Sequence, residues 1–205
     1  GLIFTAIGME YYPRITRVCH SRLRTRVFAS QEVNIMMLCL LPIISIFLIA
    51  RELIVSILYS GEFRAIIPYI SFAIVGTVMR AYSWFLAIVI VARGDGKIYI
   101  VTETLSVLTG FALNVACYHL WGLAGLGVAF CLWYAAYCLI VGVVYFRRYG
   151  YSLSRQSSLL SLFTLAFCAA IVFLLNEGWL WAAIAATAII SLFAGIRLRR
   201  LVSHR

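Results

Sequence analysis

A single arginine inside a long apolar stretch is the residue whose position points most directly to chemistry. Arg80 lies near the middle of the apolar run 66–92, roughly 18 Å from either end at about 1.5 Å of rise per helical residue. A guanidinium at the centre of a bilayer costs at least about 2.5 to 3.5 kcal/mol unless it faces water, protein or a counter-charge. We therefore expect Arg80 to point into a hydrated cavity or into a contact between helices.

The helical face around Arg80 is small or polar, whereas the other faces are largely aliphatic. Its members at helical spacing include Thr77, Ser83 and Trp84. A guanidinium in a hydrated membrane cavity suits phosphate, which it binds through two parallel hydrogen bonds. The face is therefore a candidate substrate-binding surface. The alternative is an arginine satisfied by backbone carbonyls or by a side chain of another helix.

The next apolar run carries a second polar stripe at helical spacing, made of Glu103, Ser106, Gly110, Asn114 and Cys117. A helical hairpin around residues 94–97 would bring Arg80 level with about Gly110. Ser106 and Asn114 would then lie one turn away on either side, which makes both of them candidate cavity residues.

Glu103 is the acidic member of this second stripe. A carboxylate inside a membrane segment is a possible coupling site for a cation or a proton. The alternative is an ion pair with a base at the end of the helix, such as Lys97 or Arg93.

Other chemistry-bearing residues stand apart from one another. The three histidines, His20, His119 and His204, have no second histidine or carboxylate at metal-ligand spacing. The six cysteines include no Cys-x-x-Cys pair, and most lie inside apolar runs. No phosphate-binding glycine loop or nucleophile elbow occurs. We expect no metal site, no cofactor, no disulfide and no enzymatic activity.

Six long apolar runs must position these residues. They cover residues 34–58, 66–92, 98–119, 123–146, 159–175 and 179–196. Most of them reach or approach the roughly 20 residues that a helix needs to cross a bilayer. They are too long and too evenly apolar for barrel strands, which alternate apolar and polar residues. The pattern predicts an all-α, polytopic transmembrane helix bundle.

Composition supports a membrane setting. Hydrophobic residues make up 64% of the chain and charged residues only 12%, and the mean hydropathy is +1.02. A soluble domain of this size could not cover so much apolar surface, because each water-facing helix needs a polar side.

The formal net charge of +10 is distributed unevenly between the two sets of connections. One set holds Arg14, Arg17, Arg22, Arg24, Arg26, Arg93, Lys97, Arg147, Arg148, Arg155, Arg197, Arg199, Arg200 and Arg205, and the other holds Arg51 and Arg64. The positive-inside rule then makes the first set and the C-terminus cytoplasmic. Because the basic residues flank helices, topology explains them better than nucleic acid does.

The opening apolar stretch is too short to span a bilayer, so we expect it to be the cytoplasmic end of a truncated transmembrane helix. Pro13 suits the first position of a basic interfacial helix, although a solvated loop is the alternative. The predicted segments are that helix end (1–12), a basic cytoplasmic interfacial segment (13–33), four transmembrane helices (34–146), a basic cytoplasmic loop (147–158), two further transmembrane helices (159–196) and a basic cytoplasmic tail (197–205).

Three local signals mark boundaries. The pair at 51–52 predicts that the first span ends near Ala50, with a wet opening on the outer side as the alternative. Residues 59–62, Tyr-Ser-Gly-Glu, have turn chemistry. Trp-Gly at 121–122 predicts a short reversal, and the glycines that follow it, with nearby alanines, predict close helix packing.

Several short motifs follow one another along residues 1 to about 155. They are Glu-Tyr-Tyr-Pro-Arg at 10–14, Gln-Glu at 31–32, Pro42, Leu-Tyr-Ser-Gly-Glu-Phe at 58–63, Ser-Trp at 83–84, Ala-Arg-Gly at 92–94, His-Leu-Trp-Gly-Leu-Ala-Gly-Leu-Gly-Val-Ala-Phe at 119–130 and Arg-Arg-Tyr-Gly-Tyr at 147–151. In this order they resemble the second half of O-antigen translocases. These are lipid-linked oligosaccharide flippases of the superfamily that includes multidrug and toxin extruders. The family pattern has Asp before the paired tyrosines, where this chain has Glu10.

The resemblance implies the C-terminal bundle of a two-bundle, alternating-access transporter of the bacterial inner membrane. The substrate it implies is an undecaprenyl-pyrophosphate-linked O-antigen or similar oligosaccharide of polysaccharide and lipopolysaccharide biosynthesis. The partners would be membrane lipids and an N-terminal helical bundle of the same chain. The resemblance assigns no role to Arg80.

The sequence leaves three alternatives to a flippase. A drug or cation antiporter of the same superfamily would favour acidic cavity residues. A membrane-embedded enzyme of polysaccharide assembly should show catalytic histidines or carboxylates in loops. A membrane scaffold would give Arg80 no purpose beyond packing.

Overall fold

The computed structural model describes residues 2–58, 66–150 and 152–203, and the secondary structure within these ranges is helical. The helices are α1 (Leu2–Val18), α2 (Arg22–Ile49), α3 (Arg51–Leu58), α4 (Ile67–Ala92), α5 (Gly96–Tyr149), α6 (Arg155–Asn176) and α7 (Leu180–Ser203). Five of these, α2, α4, α5, α6 and α7, are long and apolar enough to cross a membrane. The prediction of a multi-pass, all-helical membrane protein is therefore confirmed.

Helix α5 is a hairpin rather than one straight rod. Its 54 residues would reach about 81 Å if straight, far more than the roughly 30 Å of a bilayer core. Gly122 interrupts it with φ 60° and ψ −138°, a conformation open essentially to glycine alone. Beyond it the chain folds back, so that Trp133 Nε1 donates to Ser106 Oγ at 2.9 Å. The reversal predicted at 121–122 is confirmed.

The two halves of α5, residues 96–121 and 123–149, are called its first and second limbs. Helix α4 packs extensively against α5 and also contacts α1, α2, α3 and α6. Glycines allow the second limb to approach both α4 and the first limb closely. A Cβ on Gly127 would lie 2.7 Å from the Tyr69 carbonyl oxygen of α4, and one on Gly125 would lie 2.1 Å from the Cys117 carbonyl oxygen of the first limb. The glycines after the reversal therefore serve close packing, as the sequence predicts.

The basic connections meet at one end of the bundle, called the basic end. Arg93 Nη1 donates to the Cys19 carbonyl oxygen at 2.6 Å, which ties the α4–α5 connection to the α1–α2 connection. Tyr149 donates to Asp95 Oδ2 at 2.6 Å. The Ser154 amide donates to Ser30 Oγ at 2.9 Å. The charge pattern of the sequence assigns these connections to one side of the membrane, and in the structure they lie next to one another.

The opposite end is joined by a buried arginine. Helix α2 ends at Ile49 with Ala50 as its C-cap, which agrees with the predicted end of the span. Arg51 is only 5% exposed. Its Nη1 donates to Ser71 Oγ at 2.5 Å and its Nη2 donates to Asn176 Oδ1 at 2.9 Å. Burial lowers the pKa of Arg51, while the nearby Glu52 carboxylate acts in the opposite direction.

The basic segment 13–33 differs from the prediction in its helix boundaries. Pro13 lies inside α1 rather than at the start of a new helix. The break falls between Val18 and Arg22, where Thr25 Oγ1 lies 2.8 Å from both the Val18 and the Ser21 carbonyl oxygens and shares its one hydroxyl hydrogen between them. These carbonyls at the break find a side-chain donor, so the chain can turn there and continue from Arg22 directly into the first span.

Some predictions lie outside the described residues. They are the turn at 59–62, the cation at Arg64, and the terminal residues His204 and Arg205.

Candidate functional site

A cavity of about 210 Å³ lies between α4 and the two limbs of α5. Five of the seven candidate residues line it: Arg80, Ser83, Trp84, Glu103 and Ser106. Ala87, Ile88, Val91, Tyr99, Val107, Trp133, Tyr134 and Tyr137 complete the wall. The hairpin expected around 94–97 is what brings the stripe on α4 to the stripe on the first limb.

Arg80 is exposed, and it lies close to the middle of α4. Its Cζ lies 5.6 Å from the centroid of the Tyr134 ring, within the range of a cation–π interaction. The second limb thus offers this guanidinium an aromatic face, and Arg80 also belongs to the lining of the cavity. The sequence allowed either a cavity or a contact between helices for Arg80, and both are present here.

Glu103 and Ser106, the two polar residues of the first limb that line the cavity, form hydrogen bonds with aromatic side chains of the second limb. Tyr137 donates its hydroxyl to Glu103 Oε1, and Trp133 donates to Ser106 Oγ. Arg93, one of the bases expected to pair with Glu103, instead donates to the Cys19 carbonyl and lies 4.5 Å from the Tyr149 ring centroid. Glu103 is therefore oriented toward the second limb and the cavity.

Thr77 and Asn114 lie outside this cavity. Thr77 Oγ1 donates to the Ala73 carbonyl at 3.0 Å, and Asn114 Nδ2 donates to the Gly110 carbonyl at 2.7 Å. The close packing at Gly110 explains why the cavity does not reach Asn114, because a Cβ on Gly110 would lie 2.4 Å from the indole ring of Trp133. That ring fills the space level with Gly110, where the sequence places Arg80, and neither Gly110 nor Asn114 lines the cavity.

An aromatic wall on the second limb is what sequence reasoning missed. Trp133 and Tyr134 stack with centroids 5.1 Å apart, and the Phe130 ring, which supports the wall from outside the cavity lining, lies 4.8 Å from Tyr134. Tyr137 continues the row at 6.5 Å from Tyr134. The signal was present as aromatic residues at positions 130, 133, 134 and 137, which share one helical face.

The site therefore combines a cation, a carboxylate and several aromatic faces within a small volume. Aromatic side chains with a polar edge offer both flat apolar contact and a hydrogen bond. A guanidinium offers several donors in a fixed plane, which matches phosphate and carboxylate oxygens. Such a lining suits a ligand that is both anionic and rich in hydroxyl groups.

A second cavity, about 410 Å³, lies between α4, the second limb of α5 and α6. Its lining is mostly apolar, and its polar contacts include Tyr82 Oη at 3.3 Å from Ser158 Oγ. Having no charged residue in its lining, it is a weaker candidate for a polar ligand.

The part of the chain that the structure describes contains no group of three or more histidine, cysteine, aspartate or glutamate residues able to hold a metal ion. The six cysteines, all within that part, have free thiols. No protein-family model matches the chain, and no curated protein or solved structure shows significant similarity to it.

Proposed function

We propose that this chain forms one bundle of a lipid-linked oligosaccharide flippase, and that the cavity around Arg80 binds the phosphate-bearing headgroup. The observation that carries the proposal is an arginine near the middle of an apolar helix, lining a cavity with aromatic walls. A cation in a hydrated cavity lowers the cost of moving an anionic headgroup through hydrocarbon. The aromatic wall then contacts the sugar rings nearest the phosphate.

In this proposal the substrate is an undecaprenyl-pyrophosphate-linked O-antigen or a similar oligosaccharide. Its lipid tail stays in the bilayer while the headgroup passes from the inner to the outer leaflet of the bacterial inner membrane. A second bundle, N-terminal in the same protein, completes the cavity, and the two alternate in opening it to either side. The basic end faces the cytoplasm in this arrangement, because arginine-rich connections stay inside.

Glu103 favours a second candidate function, a drug or cation antiporter of the same superfamily. A carboxylate in the cavity can bind a cationic compound or a coupling proton. In the flippase, the same residue is the candidate coupling site, exchanging a cation or proton against the lipid-linked sugar. The two functions differ in what Arg80 does, because a guanidinium repels a cationic drug and attracts a pyrophosphate.

The test is translocation of the lipid-linked oligosaccharide by the full-length protein in proteoliposomes. Accessibility of the sugar to an external lectin reports the transport. Arg80→Ala is expected to lower the rate about 10- to 100-fold, the equivalent of one charge-assisted hydrogen bond, and Arg80→Lys to restore part of it. Thr77→Ala is the matched control, because Thr77 lies on the same helix outside the cavity.

Each outcome decides between the candidates. Transport by Arg80→Ala at the normal rate would remove Arg80 from the binding site. Failure of the unmodified protein to move the sugar, together with efflux of a cationic dye that Glu103→Gln abolishes, would favour the antiporter.

A further inference from the structure

A groove of about 600 Å³ runs between the start of α6 and the last turns of α7 at the basic end. Arg155 and Arg197 line it, one from each helix. The rest of its lining includes Leu159, Phe163 and Phe193, and no acidic residue belongs to it within the described part of the chain. The groove is separate from the Arg80 cavity and shares no residue with it.

The groove changes from cationic to apolar with depth. Arg155 is the first residue of α6, and Leu159 and Phe163 follow it at about 6 Å and 12 Å along the axis toward the membrane interior. On α7, Phe193 lies one turn deeper than Arg197, whose Cζ is 5.6 Å from the Phe193 ring centroid. Leu159, Phe163 and Phe193 are 56%, 46% and 47% exposed, so they form an open apolar floor below two cations.

We propose that this groove binds one anionic phospholipid of the surrounding leaflet. Its phosphate lies between Arg155 and Arg197, and one acyl chain follows the floor made by Leu159, Phe163 and Phe193. Charge complementarity selects a headgroup of net negative charge, because two arginines with no carboxylate between them attract a phosphate whose charge is not cancelled by a choline or amine group. The depth profile selects a lipid over a soluble anion, because a free phosphate would use only the rim. This site does not depend on the transport function proposed above.

The experiment measures lipid retained by the full chain after purification in detergent micelles, using native mass spectrometry. The added probes are phosphatidylglycerol and phosphatidylcholine with identical acyl chains. We expect phosphatidylglycerol to be retained in preference, and the double variant Arg155→Gln/Arg197→Gln to weaken its binding about 30-fold, since each surface cation contributes about fivefold.

The double variant Arg199→Gln/Arg200→Gln is the matched control. It removes the same charge from the same end of α7, and neither residue lines the groove. The control is expected to keep the preference. Equal losses in both double variants would mean diffuse attraction to the basic end and would overturn the site, as would equal retention of the two lipids.

A second measurement on the unmodified chain avoids any effect of the substitutions on folding. Phosphatidylglycerol carrying a photoreactive diazirine on one acyl chain is expected to label peptides that contain Leu159, Phe163 or Phe193. Excess glycerol phosphate should not displace it. Labelling confined to other helices, or displacement by glycerol phosphate, would contradict a lipid site in this groove.

Discussion

Arginines occupy three different environments in this protein, and residue type alone does not separate them. Arg80 is exposed and lines a cavity, Arg51 is buried among neutral partners, and Arg155 lies at the rim of a groove. The cost of each guanidinium depends on the water and the acceptors that surround it. Hydropathy identified Arg80, because the sequence shows an arginine interrupting an apolar run. Hydropathy showed Arg51 only as a residue at the end of a span, because the acceptors that bury Arg51 belong to α4 and α6.

Arg51→Ala is expected to lower the free energy of unfolding by about 1 to 3 kcal/mol. The substitution leaves Ser71 Oγ and Asn176 Oδ1 without the guanidinium that joins α3 to α4 and α6. Thermal unfolding in detergent micelles measures the change. Arg24→Ala is the control, because Arg24 is exposed. A melting temperature of Arg51→Ala equal to that of the control would show that this arginine does not join the helices.

At the scale of elements, the hairpin of α5 creates the candidate site. Each limb supplies a different part: the first contributes Glu103 and Ser106, and the second contributes Trp133, Tyr134 and Tyr137. Small residues set how closely the limbs approach: a Cβ on Gly125 would lie 2.1 Å from the Cys117 carbonyl oxygen near the turn, and one on Gly110 would lie 2.4 Å from the Trp133 ring beside the cavity. The depth of the cavity therefore depends on a glycine that is not part of its lining.

Gly110→Ala is expected to destabilise the fold by about 1 to 3 kcal/mol, the usual cost of overpacking. The new Cβ would lie 2.4 Å from Trp133 Cε2, so the indole must move away from Ser106. Trp133 fluorescence and thermal unfolding, measured in a variant whose other four tryptophans are replaced by phenylalanine, report the shift.

Gly142→Ala is the matched control on the same helix, because nothing lies within 4 Å of a Cβ at that position. It should leave stability unchanged or raise it slightly, since alanine favours a helix over glycine. An unchanged spectrum and melting temperature for Gly110→Ala would contradict the packing described for the hairpin.

At the scale of the whole molecule, charge and topology agree. The contacts Arg93–Cys19, Tyr149–Asp95 and Ser154–Ser30 gather the arginine-rich connections at one end. At the opposite end, the hydrogen bonds of Arg51 join the start of α3 to Ser71 of α4 and to Asn176 at the end of α6. Folding back at Gly122 is required for this arrangement, because a straight α5 would place residues 95 and 149 at opposite ends.

Single-cysteine labelling tests this topology in a background where the six native cysteines are replaced by alanine. Gly96→Cys and Arg148→Cys should react with a membrane-impermeant maleimide from the same side, and Trp121→Cys from the other. The positive-inside rule places the first pair on the cytoplasmic side. Trp121 is 59% exposed and immediately precedes the reversal at Gly122. Labelling of Gly96→Cys and Arg148→Cys from opposite sides, or of all three positions from one side, would contradict the hairpin.

The sequence alone determined the class of the protein, the apolar segments, the reversal at 121–122 and most of the polar residues of the cavity. These follow from hydropathy, helical period and glycine, which are properties of short stretches of chain. Its indication of an oligosaccharide flippase rests on the order of short motifs and stays a prediction.

Only the tertiary structure decided which faces meet. It excluded Thr77 and Asn114 from the cavity, added the aromatic wall of the second limb, placed Tyr137 on Glu103, and buried Arg51 between α4 and α6. These features depend on how neighbouring helices are rotated and how closely they approach. That rotation is set by contacts such as Gly110 with Trp133, between residues that are far apart in the chain and carry no local signal of each other.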